Sequence, residues 1–182
     1  MSSPSLKVRN AGVGRITISD NAGNSLVIPV TRGDFSLGPL PGDGVLNDIV
    51  KHRARGKRVS ESYGDKIDPA VSFSMWLTSI VGQDTVKPGT LAEFMAKQGA
   101  YADVVPTSGD APNVPKTFNL LWEQIGSRLV ATEGVESVLM RDFRGSLQIE
   151  ESDDGNSIAC SGEVWGDITV TNASGSITYT TI

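Results

Sequence analysis

The chain holds one histidine, His52, and one cysteine, Cys160, and this pair bounds most of the side-chain chemistry open to it. A Ser-His-Asp arrangement would have to use His52, which lies in the cationic run "VKHRARGKR", where its neighbours disfavour a protonated imidazole. It reads as an exposed histidine of that run. One His and one Cys cannot build the nitrogen and sulfur cage of a zinc site. Cys160 alternates with Ile158 and Val164 in "SIACSGEVW", which predicts an inert thiol on the apolar face of a strand. Carboxylates cluster in "EESDDGN" at Glu150, Glu151, Asp153 and Asp154, but without the alternating ligands and distal Glu of an EF-hand loop, so the stretch reads as a solvated hairpin tip. Glycosidase-type carboxylate pairing is a matter of distance in space, and nothing in the spacing favours it. The glycines of "GVGR" and "RGK" complete neither a dinucleotide cradle nor a P-loop. Trp76, Trp122 and Trp165 read as core or subunit packing rather than a platform for sugars or bases. The expectation is a protein that is not an enzyme, with no catalytic residue, cofactor or metal.

What remains is a concentration of cations. Lys51, Arg53, Arg55, Lys57 and Arg58 fall within eight positions of a chain whose formal net charge is -5. Without these five, 11 Lys and Arg face 21 Asp and Glu, so the rest of the chain carries -10. Clustered cations release counterions from nucleic acid, yet a body of that charge repels the same polyanion. The division suits a docking arm that lays its cations, with Tyr63 close behind, on the acidic surface of an identical subunit. The plain alternative is a solvated loop.

The elements that must position this run are β-strands. At 182 residues, with 38% hydrophobic and 20% charged content, the chain suffices for a single domain spanning residues 1–182, and its 20 glycines imply many turns. A lone cysteine excludes an internal disulfide and suits assembly in the cytosol. The start "MSSPSLKVRN" lacks the order of a signal peptide, and no apolar run approaches the ~18 residues of a membrane helix, so a soluble protein is expected. "RITISDNAGNSLVIPV" reads as a hairpin, and "GDFSLGPLPGDG" as a short extended piece followed by a turn. From Val45 the residues Val45, Leu46, Ile49 and Val50 fit one face of a short helix or, the reading preferred, a strand or long excursion that leads through a polar, basic loop at about 51–70 into "PAVSFSMWLTSI", a half-buried strand with Val71, Phe73, Met75 and Leu77 on one face. "GTLAEFMAKQGAY" predicts one helix of nearly three turns, with Thr90 and Glu93 at capping-box spacing and Gly99 as its stop. Residues 103–116 read as a Pro-rich loop, and "TFNLLW" and "RLVAT" as strands. "DFRGSLQIE", aligning Phe143, Leu147 and Ile149, pairs with "SIACSGEVW", and "DITVTNASGSITYTTI" adds a last pair. The class is an antiparallel β-sandwich or barrel flanked by one short α-helix.

This order resembles the bacteriophage tail tube protein family, siphophage-like and related in fold to the tubes of type VI secretion and pyocin tails. The residues that carry the resemblance are the hairpin "RITISDNAGNSLVIPV", the excursion "KHRARGKRVSESYGDKIDPA" into "VSFSMWL", the helix "TLAEFMAKQGAY", and "RGSLQIEESDDGNSIACSGEVWGDITVT", from about Gly14 to Thr171. The resemblance implies hexameric rings that stack into a tube, a long loop reaching to the neighbouring subunit, an acidic bore that DNA slides through, and a place in the virion tail beside other tail proteins. The basic run would be the loop. Alternatives are a single-ring tail component such as a terminator or distal tail protein, a monomeric carbohydrate-binding sandwich, and a hydrolase dependent on His52 or a carboxylate pair.

Overall fold

The computed structural model describes residues 14–28, 34–76, 90–124, 136–150, 157–172 and 175–181. In chain order the elements are β1 (Gly14–Ser19), β2 (Ser25–Ile28), β3 (Ser36–Gly38), β4 (Asn47–Ala54), β5 (Lys57–Lys66), β6 (Ala70–Trp76), α1 (Leu91–Ala96), β7 (Phe118–Gln124), β8 (Glu136–Glu150), β9 (Ser157–Val164), β10 (Ile168–Asn172) and β11 (Gly175–Tyr179). Nine strands join in one antiparallel sheet of order β2-β1-β7-β8-β9-β6-β3, with β10 pairing both β8 and β11, while β4 and β5 pair only with each other. The fold is mainly β, as the alternation predicts: a β-sandwich with one short α-helix among the described residues.

The long strand β8 connects the two halves of the sheet. Its first half pairs with β7 on one side and β10 on the other, and its second half, from Phe143, pairs with β9. Asp142, at φ 53, breaks the two-residue period between them. Opposite it the chain bulges through 165–167, held by Arg141 N–H to Asp167 O at 3.0 Å and Trp165 N–H to Asp142 O at 3.2 Å. Consequently Val138 and Met140 point inward before the break and Phe143 after it. Both halves of the sheet contribute to one core, which includes Ile16, Ile18, Leu120, Met140 and Ile168 from one and Val71, Phe73, Ile158, Cys160 and Val164 from the other. Ile149, expected on the face of Phe143, is 56% exposed although Ile158 opposite it is buried, because beyond Phe143 strand β8 pairs with β9 alone among the described residues.

Cys160 is buried as expected, and burial pushes its thiol up to about 12. Native protein is expected to resist iodoacetamide at pH 8 and to react promptly once denatured; equal rates in the two states would contradict the placement.

The helix is shorter than its periodicity suggests. Thr90 caps it as predicted, accepting from Glu93 N–H at 3.3 Å, while the Glu93 carboxylate accepts from Thr90 N–H at 2.9 Å. It ends at Ala96 because Lys97 adopts the left-handed conformation, φ 57, so that Gln98 N–H returns to Glu93 O and Lys97 N–H to Phe94 O. Gly99 is therefore not the stop. Leu91 and Phe94 face the core, with the Phe94 ring edge-on to Tyr101 and Phe118.

Asp20 ties the β1–β2 turn to the loop that follows α1. Oδ1 accepts from the N–H groups of Ala22 (2.9 Å) and Asn24 (2.7 Å); Oδ2 accepts from Asn24 Nδ2 and Val105 N–H, both at 2.9 Å. Burial acts to raise its pKa, but the Asn24 amide and the three backbone donors outweigh it and hold the carboxyl below its ordinary range. A carboxyl depressed in this way stabilises the fold above its unfolded pKa, and the contribution is lost as pH falls through the folded value. Asp20→Ala is thus expected to cost about 2–3 kcal/mol at neutral pH. The gap from the parent protein should shrink as pH falls below the ordinary carboxylate range. Urea unfolding above and below that range checks this, and a gap independent of pH would contradict it.

Leu77, the "RLVAT" stretch and the turn within "ESDDGN" lie outside the described residues.

Candidate functional site

The basic run is the part of the chain that the sandwich does not absorb. The excursion takes the form of a β-ribbon rather than an irregular loop. β4 and β5 pair from Asn47↔Lys66 to Ala54↔Lys57, and Arg55 and Gly56, at φ 49 and 79, make the two-residue turn between them. Positive φ at both central positions is the turn that suits the twist of a hairpin, and glycine takes it without strain. β5 has ten residues against eight in β4, and the excess is placed in two bulges, one of which sets Val59 outside the pairing. A ribbon that is polar on both faces carries no alternation, which is why its pairing is not legible beforehand.

Between the bulges one face carries Ile49 and Lys51 opposite Tyr63 and Glu61, and the other carries Val50 and His52 opposite Ser62 and Ser60. Every residue of β4 beyond Asn47 is exposed, as is every residue of β5 except half-buried Gly64. The six residues singled out from sequence, Lys51, Arg53, Arg55, Lys57, Arg58 and Tyr63, all belong to this ribbon. The cations gather toward its turn, and Tyr63 stands at its root. Arg53 lies directly opposite Arg58, a like-charge pair that disfavours the ribbon in isolation. Arg58 is relieved by Glu61 at 2.9 Å, whereas Lys51, Arg53, Arg55 and Lys57 form no salt bridge among the described residues. His52 Nε2 lies 2.9 Å from Ser62 Oγ on the open face.

Tyr63 was singled out from sequence, but the exposure of the apolar residues beside it on the ribbon was not. Ile49, Val50, Val59 and Tyr63 are among the exposed large hydrophobic side chains, Val59 at 66%. Sequence reasoning also missed how the root is held. Leu46 is fully buried; its N–H donates to Thr180 O at 2.8 Å, and Thr180 N–H donates to Gly44 O at 3.1 Å. Asn47 Nδ2 reaches Gly64 O at 3.0 Å, and Lys66 Nζ bonds Trp165 O and pairs with Asp68. The ribbon is therefore exposed at its turn and anchored at its base. A cleft of about 280 Å³ opens at that base, lined by Asp43, Ile49, Glu61, Ser62 and Tyr63. Asp43 comes from the Pro/Gly turn before β4, a separate segment that sequence spacing does not connect to the ribbon.

Elsewhere the chemistry is sparse. Trp122 stacks on Phe35 at 5.2 Å, and Trp165 lies under the Arg144 guanidinium at 5.3 Å, so both rings are engaged in packing. Among the described residues no three His, Cys, Asp or Glu side chains converge to hold a metal, and no helix is long and apolar enough to cross a membrane. No family model, curated protein or solved structure matches the chain.

Proposed function

We propose that this chain is a structural virion protein that assembles with itself into stacked, hexameric rings, forming a tail tube through which DNA passes. The carrying observation is the ribbon: two strands that pair only with each other, polar for the most part, with Ile49, Val50, Val59 and Tyr63 exposed along it and cations at the turn. A two-stranded ribbon is at best marginally stable alone in water, and cross-strand pairs contribute about 0.2–1 kcal/mol each. Such an element is worth keeping if something covers it, and the acidic remainder of an identical subunit supplies complementary charge. The sheet edges support the same reading. Among the described residues β2 and β11 each pair on one side only, and neither "SLVI" nor "GSITY" holds a charged residue or a proline, the usual protections of an edge, so edge-to-edge joining of neighbouring subunits would satisfy both. In this reading the protein is assembled in the host cytoplasm and works in the virion tail. Its partners are other copies and other tail proteins, DNA contacts it only in passage, and it has no catalytic role, cofactor or membrane.

Trypsin tests whether copies cover the ribbon. Cleavage after Arg55 or Lys57 is expected to be rapid in dilute protein and slowed about tenfold or more at concentrations where the protein assembles. Equal cleavage rates across the concentration range would overturn the assignment.

A further inference from the structure

The cleft at the root of the ribbon has the chemistry of a cation receptor. Two carboxylates, Asp43 and Glu61, share it with the Tyr63 ring and the Ile49 side chain. Neither carboxylate is saturated. Asp43 Oδ1 accepts from Val45 N–H at 3.1 Å, and Oδ2 has only the distant Tyr63 hydroxyl at 3.4 Å. Glu61 engages Arg58 through Oε1 and leaves Oε2 open. Carboxylates beside an aromatic ring suit a guanidinium, which is planar, forks to two acceptors and stacks on rings. A volume of about 280 Å³ accepts such a group with its aliphatic stem.

The chain carries that group at the far end of the same ribbon. Arg55 occupies a positive-φ turn position where Asn, Asp or Gly is preferred, and it forms no salt bridge among the described residues. The residue type is kept there at a cost in backbone strain, which points to a use for its side chain. Pairing sets Arg55 six residues beyond Ile49, about 20 Å at the strand rise of about 3.3 Å per residue. Tip and cleft are thus held apart within one molecule, and a copy cannot fill its own cleft.

Resting on the self-assembly reading above, we infer that Arg55 of one copy seats in the Asp43, Glu61 and Tyr63 cleft of the next. The contact is head-to-tail: each copy donates a tip and offers a cleft, so it generates closed rings or open stacks rather than two-fold dimers. It also accounts for the apolar wall of the cleft, since the stem of the incoming arginine needs one.

Two conservative variants test this in the full-length chain. Arg55→Asn suits the turn and removes the cation; Asp43→Asn keeps the acceptor for Val45 N–H and removes the charge. Each is expected to raise the concentration needed for assembly, followed by sedimentation velocity, by about tenfold or more. The two together should be no worse than either alone, because both delete one contact. Exchanging the charges within one chain, Asp43→Arg with Arg55→Asp, should recover much of the assembly. If Asp43→Asn assembles like the parent while Arg55→Asn does not, or if the two effects add in full, the cleft is not the receptor, although self-assembly stands. If the parent stays monomeric at every concentration, the self-assembly reading falls with it. If Arg55→Asn instead weakens binding to a duplex DNA oligonucleotide and leaves sedimentation unchanged, the tip serves nucleic acid and the inference is overturned.

Discussion

Gly162→Ala is expected to destabilise the chain by about 4 kcal/mol or more, the largest stability loss among the substitutions considered. Gly162 of β9 pairs with Gly145 of β8 at the middle of the sheet. A Cβ at position 162 would lie 2.1 Å from Arg144 O, 2.6 Å from Gly145 Cα and 2.8 Å from Arg144 C. All three are backbone atoms, so no side chain can rotate away and the strands themselves would have to part. The neighbours Phe143↔Val164 and Leu147↔Cys160 line the core, so separation there also opens apolar packing. A contrast sets the scale. At Gly56 an added Cβ meets nothing within 4 Å, and the penalty is confined to the positive φ of 79, about 1 kcal/mol. Urea unfolding followed by circular dichroism distinguishes the two. Equal losses would mean that the β8–β9 register is wrong.

The second large effect falls on assembly and not on folding. Replacing Arg53, Arg55 and Arg58 together by Glu is expected to leave a folded monomer that no longer polymerises. All three side chains are exposed, and exposed substitutions away from special features usually change stability by less than about 0.5 kcal/mol each. The Arg53–Arg58 repulsion becomes a Glu–Glu repulsion of similar size, so the pairing of the ribbon hardly changes. Loss of the Arg58–Glu61 pair removes a screened surface bridge worth about 0–1 kcal/mol. Against an acidic neighbour, however, three attractions become three repulsions, and like charges brought together at an interface cost several kcal/mol. The readings expected are an unchanged melting temperature within a few degrees and no particle larger than the monomer. Assembly equal to that of the parent would remove the ribbon from the interface.

Period-two runs with marked turns were legible before the fold was known. β1 with β2, β6, and β9 with the second half of β8 all follow from alternating apolar residues, and the capping box at Thr90 and Glu93 follows from spacing. The losses have local causes. Lys97 takes a left-handed cap that composition does not announce, which shortens the helix. Asp142 shifts the inward phase of β8 between Met140 and Phe143, and beyond Phe143 the strand pairs with β9 alone among the described residues, so Phe143 and Ile149 look equivalent in sequence and are not in burial. For the candidate site, the cations were visible as a density of charge, but the pairing that spreads them along a ribbon was not, because neither bulge leaves a trace in the pattern. The cleft was out of reach altogether, since it depends on Asp43 returning to Tyr63 from a turn twenty residues earlier.

The most direct test of the central claim is negative-stain microscopy of the purified chain across a rising concentration series. Rings that stack into tubes are expected, lost in the Arg53, Arg55 and Arg58 triple variant. Single rings that never stack would reassign the chain to a terminating or distal ring. A monomer at every concentration would contradict the claim that the ribbon exists to join copies of this chain.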